Sequence, residues 1–293
     1  MLFDLELELI SKIVFPLMQK RTIAQSPKKF TTGIIGVGMV GGALAHVLEK
    51  PLLFDSGKNL GSMAEVSKAD ILFICVPTPY DEKKKGFDIS IVEEVFSKIK
   101  GEKIVVIKST VIPGTTEYFQ KKYPQHKVFF NPEFLTEVTA DQDMRYPDRQ
   151  IMGYTKESFS VAGDVVQILP LAPFERIMPA TEAEMVKYFN NTWFATKVVY
   201  ANQMYDLCQK LGADYEIIKE AAAADKRVGR SHLEIFHKGY RGYGGKCLPK
   251  DTKALIQKAR AMKSPMALLE TVDKLNEKLI ASNAPVKKKK RSL

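Results

Sequence analysis

The chain has 293 residues, of which 45% are apolar and 27% charged, a composition typical of a globular protein with room for about two domains. Its longest apolar runs, such as residues 71–76, are too short to span a bilayer. The N-terminus is acidic where a signal peptide would be basic, and three widely spaced cysteines do not suggest a disulfide framework. We therefore expect a cytoplasmic protein in a reducing compartment, without a membrane partner.

The net charge of +10 is concentrated in part at the C-terminus. Residues 287–291, with the sequence KKKKR, supply five of these charges. We interpret residues 283–293 as a disordered basic tail, because such runs are common and only weakly specific for nucleic acid. The remaining excess favours an anionic ligand such as a dinucleotide or a sugar nucleotide.

Residues 1–30 are interpreted as an appended helix and a linker, and the first domain is predicted to span residues 31–179. It opens with a short β-branched run, a G-x-G-x-x-G turn, a helical pattern and a second strand that ends in an aspartate. This is the context of the dinucleotide-binding fingerprint. The three glycines allow a tight turn, close approach of a pyrophosphate, and packing of helix on strand, and the aspartate favours NAD over NADP. The predicted cofactor contacts in this segment are Gly36, Gly38, Met39, Val40, Gly41 and Asp55.

Four further strands are predicted from the apolar runs in ADILFICVPTP, KIVVIKST, KVFFNPEF and RQIMGY, with helical patterns between several of them. We interpret the whole as an α/β domain with a Rossmann-type, doubly wound parallel sheet. Parallel strands bring their carboxyl ends to one edge, where ligand contacts collect. The polar residues predicted to lie at such ends are Thr78, Thr110, Asn131 and Glu133.

From about residue 180 to residue 282 the pattern becomes helical. One long helix is predicted from an N-cap at Thr181, with Glu184 completing a capping box, to Gly212 at its C-terminus. Three more helical patterns follow, so we expect an all-helical second domain and find no internal repeat.

Two pairs of polar residues recur at a spacing of four. Lys187 and Asn191 share one face of the long helix, where they could stabilise an oxyanion, although the helix pattern alone favours a solvated stripe. Glu133 and Glu137 could provide acid–base groups on a helical turn, or could decorate a helix start where the dipole favours acids.

The sequence GYGGKCLPKD presents Cys247 between two lysines and after three glycines. Cations and backbone N–H groups lower the pKa of a thiol, and glycines let a ligand approach the backbone. This setting indicates a reactive cysteine rather than a packed one, whereas Cys75 and Cys208 lie in apolar patterns and are expected to be inert core thiols.

Seven segments in order carry a family resemblance: GVGMVG, FICVPTP, KSTVIPGTT, NPEFLTEVTA followed by YPDR, EAEMVKYFNNTW, DKRVG and GYGGKCLPKDTKAL. Over about residues 31–280 the chain resembles the UDP-glucose/GDP-mannose dehydrogenase family. Its KDTKAL segment is more similar to the UDP-glucose 6-dehydrogenase branch. The resemblance implies a four-electron oxidation of a sugar C6 alcohol to a carboxylate with two NAD⁺, through a cysteine thiohemiacetal and thioester.

The resemblance also implies roles for individual residues. Cys247 would be the nucleophile, Lys187 and Asn191 would hold the oxyanion, and Asp251 with Thr110 would position a water. Glu137 would assist thioester hydrolysis, and Thr78 and Thr110 would line the NAD site. The substrate contacts it implies are Glu133, Phe134, Leu135, Lys187, Asn191, Tyr243, Gly244 and Gly245, with Lys253 and Arg227 as weaker candidates for substrate or inter-subunit contacts. No metal is implied, and a homodimer through the long helix is expected.

The chain departs from the family pattern in three places. Relatives usually carry a third, nucleotide-sugar-binding domain after the helical one, have a longer segment between residues 55 and 70, and have glycine in place of Val138. Two alternatives therefore stay open: a one-step 3-hydroxyacid dehydrogenase of the 6-phosphogluconate type, and an NAD-binding regulatory or scaffold protein. A nucleophilic cysteine argues against the first.

Overall fold

The computed structural model describes residues 29–81 and 86–282. The predicted N-terminal extension lies almost entirely outside the described residues, and the basic tail lies wholly outside them. No helix in the described part of the chain is long and apolar enough to cross a membrane.

The described elements alternate between strands and helices as far as Pro179 and are mainly helical afterwards. The strands are β1 Thr32–Ile35, β2 Leu52–Phe54, β3 Ile71–Ile74, β4 Tyr80–Asp81, β5 Gly86–Phe87, β6 Ile104–Ile107, β7 Lys127–Phe130, β8 Arg149–Tyr154, β9 Phe174–Pro179, β10 Phe236–His237 and β11 Tyr240–Arg241. The helices are α1 Met39–Ala45, α2 Met63–Val66, α3 Ser90–Lys98, α4 Thr115–Lys122, α5 Ala140–Arg145, α6 Ala162–Val166, α7 Ala180–Leu211, α8 Tyr215–Ala223, α9 Leu248–Ala261 and α10 Ala267–Ser282.

Seven strands form one sheet in the order β2-β1-β3-β6-β7-β8-β9. The first five are parallel, which confirms the predicted Rossmann-type arrangement, but β8 runs antiparallel to β7. The expectation of a wholly parallel sheet was therefore wrong at this strand. Residues 131–148 stay at the carboxyl edge of β7 instead of crossing over, so β8 starts at that edge and runs back. Strand β9, which the sequence pattern did not predict, then pairs parallel to β8.

Both faces of the sheet are covered by helices, as a doubly wound fold requires. Alternate residues of β3 point to opposite faces. Leu72 and Ile74 pack in a cluster with Phe96 of α3, while Ile71 and Phe73 pack in a second cluster that includes Leu44 of α1. Fully buried strands read as continuous apolar runs, which is why these were visible in the sequence.

The long helix α7 follows β9 directly and ends at Gly212, whose positive φ of 68° confirms the predicted C-terminus. The predicted capping box is wrong, because Pro179 occupies the N-cap and Thr181 lies within the helix. Glu184 instead accepts hydrogen bonds from the backbone N–H groups of Gly114 and Thr116, at 2.6 and 2.8 Å. This buried carboxylate caps α4 and so joins the long helix to the sheet region.

The second region is not entirely helical. A two-stranded antiparallel ribbon, β10 with β11, stands between α8 and α9. It leads directly into the glycine-rich segment and so positions the predicted nucleophile.

Candidate active site

The glycine turn between β1 and α1 has the geometry that its sequence predicts. Gly36 has a φ of 89°, which favours glycine. A Cβ on Gly41 would lie 1.9 Å from the Gly36 carbonyl oxygen, so helix and turn pack too closely for any side chain. A Cβ on Gly38, by contrast, would meet nothing within 4 Å. The turn therefore leaves open space beside the helix N-terminus, where a pyrophosphate fits.

Asp55 lies at the end of β2 beside this turn. Its Oδ2 accepts from the Val37 N–H at 2.7 Å and its Oδ1 from the Lys58 N–H at 3.0 Å. A carboxylate has about four acceptor sites, so acceptors remain for ribose hydroxyl groups. The residues present thus fit NAD, with the phosphates at the turn and the adenosine ribose at Asp55.

Cys247 occupies the N-cap position of α9 and is exposed. It lines two cavities at once. The first, which we call the cysteine cavity, has a volume of about 570 Å³ and is also lined by Glu133, Phe134, Lys187 and Asn191. The second, of about 440 Å³, is lined on its other side by Thr78. The Cys247 thiol therefore lies next to Lys187 and Asn191, which are candidates for the sugar site, and next to Thr78, a candidate for the cofactor site.

Lys187 and Glu133 form a buried ion pair in the cysteine cavity. The Lys187 ammonium donates to Glu133 Oε1 and to the Glu133 carbonyl oxygen, both at 2.7 Å, and the two side chains are only 7% and 9% exposed. The pair holds the pKa of Glu133 below its ordinary value against the effect of burial. Since an ammonium has three donors, one remains for a ligand oxygen.

Asn191 and Asp251 form a second buried pair beside the first. Asn191 Nδ2 donates to Asp251 Oδ2 at 2.5 Å, and the Lys250 ammonium lies 2.8 Å from Asp251 Oδ1. Asp251 is fully buried, one turn of α9 beyond Cys247. Lys187 and Asn191 are thus not a solvated stripe, which was the interpretation that the helix pattern alone favoured.

The electrostatics around Cys247 differ from the expected activation. Burial raises the pKa of the thiol, and the charges of Glu133 and Asp251 raise it further, while Lys187 and Lys250 lower it. The prediction of a lowered pKa is wrong, because the effect of burial outweighs that of the lysines, which the neighbouring carboxylates also oppose.

Several predicted site residues lie away from the cysteine cavity. Glu137 is exposed and paired with Lys238 at 2.8 Å, and its segment is not helical, so the idea of a helical carboxylate pair with Glu133 was wrong. The Tyr243 side chain is buried against α7 and α10, and its backbone N–H donates to Asn276 Oδ1 at 2.7 Å. The Thr110 carbonyl accepts from Thr78 Oγ1 at 2.7 Å.

The remaining candidates are divided between the two cavities and the protein surface. Met39 and Leu135 line the cysteine cavity, whereas Gly245 and Lys253 line the second cavity. Arg227 is exposed and bound to Asp225 within its own loop.

The segment around Gly244 is held too tightly for a larger residue. A Cβ on Gly244 would lie 2.6 Å from the hydroxyl of Tyr240.

Val40 lies within α1, next to the glycine turn.

The other two cysteines are placed as predicted. Cys208 is buried, and Cys75 packs in a core cluster, where burial raises its pKa to about 12. Within the described residues there is no group of three or more His, Cys, Asp or Glu side chains that could hold a metal ion.

Sequence reasoning missed two cations in the cysteine cavity. Lys108 is buried and donates to Asn131 Oδ1 at 2.5 Å. Arg149 stacks on the Phe134 ring, with its guanidinium carbon 3.8 Å from the ring centroid. The signal was present for Lys108, which directly follows β6, whereas Arg149 begins β8 and reaches this edge only because that strand runs antiparallel to β7.

Comparisons with known proteins agree with this architecture. The NAD binding domain of the UDP-glucose/GDP-mannose dehydrogenase family matches residues 54–167, and the central domain of the same family matches residues 181–278. A UDP-glucose 6-dehydrogenase of Bacillus subtilis is 34% identical over 226 residues, which are 72% of this chain and 49% of that protein. A UDP-glucose 6-dehydrogenase of Campylobacter jejuni is 36% identical over 218 residues, with 71% and 53% covered.

A solved structure gives the same result in three dimensions. The UDP-glucose dehydrogenase of the archaeon Pyrobaculum islandicum superposes with a TM-score of 0.71 at 29% identity, covering 87% of this chain and 70% of that chain. The chain spans about half the length of the curated relatives it matches. Since the two matched domains cover more than half of the chain in their proper order, this protein belongs to the UDP-glucose/GDP-mannose dehydrogenase family and contains its NAD-binding and central domains.

Proposed function

We propose that the protein oxidises the C6 alcohol of a nucleotide sugar to a carboxylate, with Cys247 as the covalent nucleophile. The observation that carries the proposal is the position of Cys247, which opens onto the cavity that holds buried Lys187 and Asn191. A thiol beside fixed donors in a concave, partly desolvated site is the arrangement that acyl chemistry needs.

The residues divide the chemistry between them. The glycine turn would hold NAD⁺, which would supply the hydride acceptor for each of the two oxidations. The sugar carbon lies between Cys247 and the Lys187–Asn191 pair. After the first oxidation the Cys247 sulfur forms a bond to the aldehyde carbon, and the carbonyl electron pair moves to the oxygen, which becomes an oxyanion near Lys187 and Asn191. The proton given up by the thiol is transferred to this oxygen, which completes the thiohemiacetal. The second oxidation converts this thiohemiacetal to a thioester.

Hydrolysis completes the reaction. A water adds to the thioester carbon, the carbon–sulfur bond breaks, and the carboxylate leaves as the thiol is restored. Asp251 is buried and adjacent, so we propose that it manages the proton through a water with Thr110. Glu137 is proposed to assist hydrolysis, which requires residues 134–139 to move, because Glu137 lies outside the cavity in this conformation.

The substrate is proposed to be UDP-glucose, because the curated relatives are named UDP-glucose 6-dehydrogenases. The test is to incubate the protein with UDP-glucose and excess NAD⁺ and to count NADH formed per sugar consumed. Two equivalents support the thioester route, and one equivalent supports a simple alcohol dehydrogenase. No turnover with UDP-glucose, GDP-mannose or UDP-N-acetylmannosamine would leave only a non-catalytic, NAD-binding role.

We also propose that the protein forms a homodimer through α7. Large apolar side chains recur on one face of this helix at intervals of four and seven residues, and they are exposed: Phe189, Trp193, Tyr200, Leu207 and Leu211. A contiguous apolar stripe of this kind is typical of a helix–helix interface. Sedimentation velocity tests it: the wild type should sediment as a dimer and a Phe189→Glu, Trp193→Glu variant as a monomer. A monomeric wild type would contradict the proposal.

A further inference from the structure

Arg149, the first residue of β8, lines the cysteine cavity without a polar partner. Its guanidinium stacks on Phe134 at 3.8 Å. Among the residues that the structure describes, the guanidinium has no hydrogen-bond partner and no ion-pair partner. Burial lowers the pKa of Arg149, and the charge of neighbouring Asp148 opposes this effect without forming an ion pair.

An unpaired cation in a partly desolvated cavity is unfavourable unless a ligand supplies the partner. The guanidinium has five N–H donors arranged around its plane. Stacking on a ring uses the face of that plane and leaves the edges free for a bidentate contact with an oxyanion. Arg149 is therefore already oriented for an anion.

Apart from the exposed Asp148, the other charged groups of the cavity already have partners. Lys187 is paired with Glu133, and Lys108 donates to Asn131. Asp143 accepts from the Thr136 N–H at 2.8 Å. Within the described lining, Arg149 is the lysine or arginine whose side chain has neither a hydrogen-bond partner nor an ion-pair partner.

The position of Arg149 relative to Lys187 indicates which anion it would bind. The Phe134 ring is close to both cations, with its centroid 3.8 Å from the Arg149 guanidinium carbon and 5.9 Å from the Lys187 ammonium nitrogen. In a nucleotide sugar, C6 is attached to C5 and the diphosphate to C1, and these two carbons flank the ring oxygen. A sugar whose C6 lies at Cys247 and Lys187 therefore carries its first phosphorus only five bonds from C6, close to the same part of the cavity.

We propose that Arg149, held by Phe134, binds the diphosphate of the nucleotide-sugar substrate. The assignment rests on the proposed function, since it takes C6 to lie at Cys247. With this contact, the NAD-binding and central domains would themselves bind the charged part of the substrate.

The test uses Arg149→Gln, with Arg145→Gln as the matched control, because Arg145 is exposed in α5 and loses the same charge outside the cavity. Binding of UDP and of NAD⁺ is measured by isothermal titration calorimetry on each protein. Loss of a bidentate, charge-assisted contact should weaken UDP binding about 10- to 100-fold in Arg149→Gln. Arg145→Gln should bind UDP as the wild type does, and NAD⁺ affinity should change less than twofold in both.

Because UDP binding needs no turnover, failure of this proposal can be distinguished from failure of the proposed function. If the wild type does not oxidise UDP-glucose but Arg149→Gln selectively loses UDP affinity, the anion site is supported and the proposed reaction is rejected. Equal UDP affinity in the two variants, no UDP binding by the wild type, or an equal loss of NAD⁺ affinity would overturn the assignment. An Arg149→Lys variant with full UDP affinity would overturn the bidentate contact.

Discussion

The glycine turn at Gly36 to Gly41 and the cysteine cavity lie at the same edge of the sheet but are stabilised by different forces. The turn depends on the absence of side chains, since Gly41 lies against the Gly36 carbonyl. The cavity depends on buried carboxylates that have cationic partners, Glu133 with Lys187 and Asp251 with Lys250. Substitutions at the turn should therefore destabilise the protein through steric clashes, whereas substitutions in the cavity should do so through unpaired charges.

The largest effect on stability should come from breaking the buried pair. Lys187→Met leaves the Glu133 carboxylate buried without its cation, which should lower the free energy of unfolding by about 3–5 kcal/mol. The double variant Lys187→Met, Glu133→Met should recover most of this loss, because it removes both charges. Urea denaturation measures all three proteins.

A surface pair supplies the control for that experiment. Lys238 and Glu137 lie 2.8 Å apart, almost as close as the buried pair at 2.7 Å, but their side chains are 59% and 76% exposed. Lys238→Met should therefore leave the free energy of unfolding close to that of the wild type, because an exposed ion pair is screened by solvent. Equal losses at the two pairs would show that burial does not set their strength.

The steric argument at the turn predicts a smaller loss of stability. Gly41→Ala forces a methyl group against the Gly36 carbonyl and should cost about 1–3 kcal/mol, as overpacking does. Gly38→Ala meets open space, so it should keep the fold and weaken NAD⁺ binding instead. Thermal denaturation and NAD⁺ titration separate the two, and a Gly38→Ala protein with unchanged NAD⁺ affinity would contradict the placement of the pyrophosphate.

The smallest predicted effect is a shift in the reactivity of Cys247 with pH. Since its pKa is raised, the thiolate forms only as the pH rises, so alkylation by iodoacetamide should accelerate above neutral pH. Glu133→Gln removes a charge that raises this pKa and should move the profile to lower pH. Lys187→Met removes a charge that lowers it and should move the profile to higher pH. Shifts in the same direction would contradict the assigned electrostatics.

Local features of the fold could be predicted from the sequence, whereas features set by distant residues could not. The glycine turn and the Gly212 helix end were predictable because each depends on backbone geometry at one position. The partner of Glu184 was not, because its hydrogen bonds cross from α7 to Thr116, 68 residues away. A local capping pattern was therefore overruled by a tertiary contact.

The site divides in the same way. Cys247 could be singled out from its own segment, but its raised pKa depends first on burial and then on Glu133, both of which come from other segments of the chain. Arg149 was missed because its importance lies in having no polar partner among the described residues, and a sequence does not show this.

The central claim is that Cys247 forms a covalent bond to the sugar, and one measurement tests it most directly. Wild type and Cys247→Ala are each mixed with UDP-glucose and excess NAD⁺, and the NADH formed is followed while acid-quenched samples are analysed by intact-protein mass spectrometry. The account predicts a transient acyl adduct and two NADH per sugar for the wild type, and neither for Cys247→Ala. A Cys247→Ala protein that completes the four-electron oxidation at the wild-type rate would contradict it.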